Sequence, residues 1–115
     1  MATRYARTPA PREIREELGL SRERMGRLLD VSAKTIERWE GRDALPASSQ
    51  LQSRMVKIQE IVQLGRTVYA PEAFAQFLIT PLTEFGGRTA LQLIEQGEAD
   101  RVLAALAADF EGLGY

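Results

Sequence analysis

The 115-residue sequence contains no cysteine and no histidine. Without cysteine there is no disulfide framework and no thiolate nucleophile. Without histidine, the commonest general base and the commonest metal ligand are missing. Carboxylates are present, but none is paired with a histidine or with a metal-ligand cluster. An enzyme is therefore the weakest reading, and no cofactor is expected. No apolar run approaches the roughly 20 residues that span a bilayer. The opening MATRYARTPA lacks the apolar core of a secretion signal. A cytoplasmic protein with no membrane contact is the expectation. No stretch alternates with a period of two over a useful length, so the fold class expected is all-α.

Charge is also scarce in net terms, at −1, but it is unevenly placed. Residues 1–57 hold 12 Lys and Arg against 8 Asp and Glu, for +4. Residues 58–115 hold 3 against 8, for −5. A basic half fits phosphate contact. The acidic half needs another task, or is acidic only for solubility.

What is present centres on Leu20 to Gly41, LSRERMGRLLDVSAKTIERWEG. Ser21 is a good helix N-cap. Met25, Leu28 and Leu29 follow at helical spacing. Gly26 stands where another segment must pass closely, and Asp30 ends the helix at a position that commonly takes left-handed backbone. Val31 plugs the turn. Ser32 caps a second helix whose Ile36 and Trp39 point inward, leaving Ala33, Lys34, Thr35, Glu37 and Arg38 outward. This is the pattern of a helix–turn–helix, whose second helix reads base edges in the major groove from its N-terminal part. Lys34 and Arg38 suit guanine acceptors. The candidate DNA-contacting residues are Ser21, Arg22, Ser32, Ala33, Lys34, Thr35, Arg38 and Arg42, with Arg22 and Arg42 on phosphates. A merely solvated helical hairpin is the competing reading.

Around that window, Met1 to Ala10 reads as a loose arm. Pro11 opens a first helix with Ile14 and Leu18 inward, and Gly19 ends it. Pro46 closes a turn after Gly41. Ser48 or Ser49 caps a long helix to about Leu64, ended by Gly65, with Leu51, Met55, Ile58, Ile61 and Val62 in one stripe. That stripe serves as core or as a dimer seam. Pro71 starts a short helix with Phe74, Phe77 and Leu78 inward, and Thr80-Pro81 breaks it. Pro81 to Phe85 is a helical turn closed by Gly86-Gly87. Thr89 and Gln92 form a capping box ahead of Leu91, Leu93 and Ile94. Glu98 to Phe110 is the last helix, leaving Glu111, Gly112, Leu113, Gly114 and Tyr115 as a tail beyond the core. The organisation expected is a helix–turn–helix region over 1–46, a connecting helix over 47–66 and a small helical domain over 67–115.

Val31 to Gly41 resembles the V-S-x-x-T-I-x-R-W-E-x-G end of the Xre, phage-repressor-like helix–turn–helix, one residue shorter before the glycine. From Phe77 on, the chain resembles the toxin-binding C-terminal domain of the Xre/MbcA/ParS antitoxins. The resemblance rests on Phe77, Leu78 and Pro81; Phe85, Gly86 and Gly87; Leu93, Ile94 and Gly97; Arg101, Val102 and Leu103; and Gly112 with Leu113. Ala90 stands where the family often has proline, and Phe77 where it often has tryptophan. The resemblance implies an antitoxin that holds a RES-domain, NAD-consuming toxin inactive, with its C-terminal end at or near the NAD cleft, and that represses the shared operon. The partners implied are that toxin, operator DNA and a second copy, as a homodimer or a toxin-bridged assembly. Candidate toxin-binding residues are Phe85, Gly87, Arg101, Asp109, Glu111, Gly112, Leu113, Gly114 and Tyr115. A plain Xre-type regulator, whose second half dimerises or binds a ligand, is the alternative.

Overall fold

The computed structural model describes residues 9–42 and 44–113. Most of the N-terminal arm, with Arg4 and Arg7, and the tail residues Gly114 and Tyr115 lie outside the described residues. The described helices are α1 (Pro11–Leu18), α2 (Arg22–Leu29), α3 (Ala33–Arg42), α4 (Ser49–Val68), α5 (Pro71–Ile79), α6 (Ala90–Glu95) and α7 (Ala99–Gly112). A 3-10 turn at Thr83–Phe85 separates α5 from α6, and a lone antiparallel bridge joins Leu82 to Arg88. The fold is all-α, as the periodicity predicts. The chain divides into two compact units, Met1–Gln59 and Glu60–Tyr115, with the division inside α4.

The first unit is an aliphatic core enclosed by short, well-capped helices. Ile14 and Leu18 of α1, Met25, Leu28 and Leu29 of α2, and Ile36 of α3 are buried, as are Met55 and Ile58 of α4. Ser21 accepts the Arg24 N–H at 3.1 Å and Ser32 accepts that of Thr35 at 3.0 Å, so both caps act as the sequence predicts. Asp30 takes left-handed backbone, φ 58° and ψ 46°, and its N–H closes onto the last turn of α2. Gly26 is required by the turn itself: a Cβ there would lie 2.5 Å from the Val31 carbonyl oxygen. Two expectations change. Helix α3 takes in Gly41 and runs on to Arg42. Trp39 is only half-buried, because the inner face of α3 is centred between Ile36 and Glu40, four residues apart, which turns the indole to its edge.

The second unit is built on aromatic rings. Phe77 stacks with Tyr69 at 5.5 Å and with Phe74 at 6.4 Å between centroids, and meets Phe85 edge-on at 6.3 Å. Around them Leu78, Leu91, Leu93, Ile94, Val102 and Leu106 are buried. Gly65 does not end α4, which continues to Val68. It is glycine because the Phe74 ring lies against its Cα; a Cβ would overlap the ring. Thr89 accepts the Gln92 N–H at 3.1 Å while the Gln92 side chain accepts the Thr89 N–H at 2.8 Å, the capping box the sequence predicts. Helix α7 extends past Phe110 to Gly112, so Glu111 and Gly112 are helical rather than part of a loose tail.

Candidate functional site

In the first unit, one buried carboxylate organises the outer face. Glu40 is the buried charged residue among those described, with its side chain 1% exposed. Arg15 donates to it twice, from Nε at 2.6 Å and from a terminal nitrogen at 3.0 Å. Arg22 donates from Nε at 3.0 Å, and Arg12 donates to the Glu40 backbone carbonyl at 3.3 Å. A fork-to-fork pair of this kind ties α1, α2 and α3 together in fixed orientation. The Arg15 hydrogen bond holds the Glu40 carboxyl below its ordinary value; burial opposes this, and the Arg22 hydrogen bond adds to it.

This junction was not anticipated from the sequence. The signal was available: Glu40 lies four residues after Ile36, on the same face of the helix, where a charge is tolerated only with partners. Its consequence reaches Arg22. A guanidinium assigned to phosphate contact is committed by Nε to Glu40, while its side chain remains 42% exposed.

The other candidate DNA residues separate cleanly from that cluster. Lys34, Glu37, Arg38 and Arg42 on α3 are exposed, and their side chains have no hydrogen-bond or ion-pair partner among the described residues. Ala33 and Thr35 are half-buried beside them. The Ser32 and Thr35 hydroxyls lie 3.0 Å apart, at the exposed N-terminus of α3. Lys34 and Arg38, four apart, share one face.

In the second unit, the candidate partner-contacting residues fall into three settings. Phe85 is 2% exposed and belongs to the aromatic core, so its ring is not offered to a partner; the sequence reading is corrected there. Gly87 is exposed, at φ 84°, in the turn after the 3-10 segment. Arg101 is exposed and lies next to that turn, donating to the Glu84 carbonyl at 3.1 Å and to Glu98 at 3.0 Å. Arg88 completes the clamp, donating to the Phe85 carbonyl at 3.1 Å and to Glu98 at 2.6 Å. The Arg88 hydrogen bond, then that of Arg101, holds the Glu98 carboxyl below its ordinary value. Asp109, Glu111, Gly112 and Leu113 occupy the end of α7, all exposed. Asp109 accepts the Tyr69 hydroxyl at 2.6 Å. Burial, then that hydrogen bond, pushes the Tyr69 phenol up to about 12. Leu113 is 54% exposed, and Ile79, not singled out from the sequence, is 57% exposed.

No group of three or more carboxylates is placed to hold a metal among the described residues, and no described helix is long and apolar enough to cross a membrane. What the described residues present is free cations on one helix, and a clamped turn with an acidic helix end on the other unit.

Comparison with known proteins finds a family likeness for the second unit. The model of the antitoxin Xre/MbcA/ParS C-terminal toxin-binding domain matches residues 63–112. Over those residues the chain is similar to that domain. The mycobacterial cidal antitoxin MbcA of Mycobacterium tuberculosis is 26% identical over 98 residues, spanning 85% of this chain and 86% of that protein. The MbcA of Mycobacterium bovis matches to the same extent. A chain in the crystal structure of the M. tuberculosis MbcT–MbcA toxin–antitoxin complex shares the fold, with a TM-score of 0.73 at 23% identity, over 96% of this chain and 97% of that one. The matched stretch takes in the aromatic core, the clamped turn and α7 up to Gly112.

Proposed function

We propose that this antitoxin divides its work between its two units. The second binds and neutralises a RES-type, NAD-consuming toxin, and the first binds operator DNA and represses the shared operon. The match of residues 63–112 to the toxin-binding domain carries this reading. The toxin contacts proposed are Gly87 and Arg101 at the clamped turn, and Asp109, Glu111, Gly112 and Leu113 at the end of α7, with Gly114 and Tyr115 following. A cleft that binds anionic NAD presents positive charge, so an acidic helix end with an apolar tip is complementary to it. On the first unit, Lys34, Thr35 and Arg38 face base edges, Ser21, Ser32 and Ala33 line the helix starts, and Arg22 and Arg42 meet phosphates. Two copies, as a homodimer or bridged by toxin, place two reading helices on half-sites about one helical turn apart. The regions assigned to these tasks are 1–46 for DNA and 67–115 for toxin, joined by 47–66, and the protein works in the cytoplasm.

The experiment is co-expression of this chain with the product of the adjacent gene, followed by co-purification. A stable complex with a RES-domain protein is the expected result, and no complex would refute the toxin reading. Deleting Gly112 to Tyr115 is expected to weaken neutralisation while leaving operator binding intact. Full neutralisation by the truncated chain would move the contact back to the turn around Gly87 and Arg101.

A further inference from the structure

The first unit sorts its charges into those that are committed and those that are free. Arg15 donates to Glu40 from two nitrogens and Arg22 from Nε alone. On α3, three cations remain uncommitted: Lys34, Arg38 and Arg42. One anion is uncommitted with them. The Glu37 carboxylate is exposed and has no hydrogen-bond or ion-pair partner among the described residues, although Lys34 lies three positions before it and Arg38 immediately after.

A carboxylate on a face that approaches DNA is repelled by every phosphate. It is tolerated only where it meets a donor. In the major groove the donors are the exocyclic amino groups, N4 of cytosine and N6 of adenine. Adenine also presents N7, an acceptor, beside its amino group, and a carboxylate has only acceptors to offer. Cytosine presents its amino group without that neighbour. Its paired guanine then presents O6 and N7 on the same base-pair edge, within the class of acceptors that Lys34 and Arg38 suit.

Resting on the DNA-binding reading above, we propose that Glu37 is a specificity-determining residue that selects cytosine, reading one C·G pair jointly with Lys34 or Arg38. Glu37 accepts from cytosine N4, and the neighbouring cation donates to the guanine. The same carboxylate weakens binding to sequences lacking that pair, because it is then left facing acceptors and phosphates.

The test is site selection from a randomised duplex library with the full chain and with E37Q, E37A and the K34A/R38A double variant. Unchanged thermal melting controls for folding. The wild type is expected to enrich a site with an invariant C·G pair in each half. E37Q should move that position toward A·T, since a side-chain amide can donate to N7 and accept from N6. E37A should lose the preference there, by roughly 5- to 10-fold, and bind unselected DNA more tightly. If the wild type enriches a site and both Glu37 variants enrich the same site with the same preference, the inference is overturned while the DNA reading stands. If neither the wild type nor any variant enriches a site, both fall.

Discussion

The two units solve the problem of stability in opposite ways. The first buries aliphatic side chains around one carboxylate locked by arginines, with Glu40 at its centre. The second buries stacked rings around Phe77 and keeps its ion pairs on the surface, at Glu98. The difference has a functional reading. A unit that presents free cations on α3 gains from having arginines of α1 and α2 held by a buried anion. A surface that must receive a protein partner gains from a rigid, uncharged interior and an adjustable polar rim.

The largest expected effect breaks the first unit alone. Glu40→Ala strands the Arg15 guanidinium, whose side chain is 19% exposed, and should cost about 3–5 kcal/mol in urea unfolding, as removal of one partner of a buried pair does. Hydrogen exchange should show α1–α3 losing protection while α5–α7 keep theirs. Equal loss in both units would erase the contrast drawn above. Next comes Gly65→Ala. A methyl against the Phe74 ring should cost about 1–3 kcal/mol, less the roughly 1 kcal/mol that alanine gains over glycine in a helix. This effect belongs to the second unit.

The contrast is sharpened by pH. The Glu40 pKa is lowered in the folded state, so its stabilisation is present above the ordinary value of 4.5 and is lost as pH falls through the folded pKa. The Tyr69 pKa is raised from 10 to about 12, so its stabilisation is present below 10 and is lost as pH rises from there toward 12. Acid should therefore loosen α1–α3 first, and alkali the Tyr69–Asp109 junction first, with unfolding followed by hydrogen exchange and by tyrosine absorbance. Tyr69→Phe should remove the alkaline transition and leave the acid one. The smallest effect is expected at Asp30. Replacing it with glycine relieves a left-handed side chain and removes an anion from a helix C-terminus, gaining about 0.5–1 kcal/mol in thermal unfolding.

Much of this was legible in the sequence because caps and spacing are local. Ser21, Ser32, Thr89 and the apolar positions of α2 and α7 carry their own signals. What was missed depends on contacts between elements. Gly65 reads as a helix end until Phe74 is seen lying on it. Phe85 reads as a surface anchor until it meets Phe77. Glu40 reads as a solvated helix residue, although its register with Ile36 marked it for burial. At the end of α7, alanine and glutamate continue the helix to Gly112, where two glycines close together suggest an earlier stop.

The division of work itself is tested by one measurement: growth rescue of cells expressing the adjacent toxin, with wild type and the K34A/R38A variant compared at equal expression. Each lost base contact removes about 1–3 kcal/mol of operator binding, while the toxin contacts proposed are residues of the second unit. The account predicts full rescue by both proteins, with operator binding lost only in the variant. Failure of the wild type to rescue would contradict the antitoxin role, and loss of rescue in the variant would contradict the separation of the two surfaces.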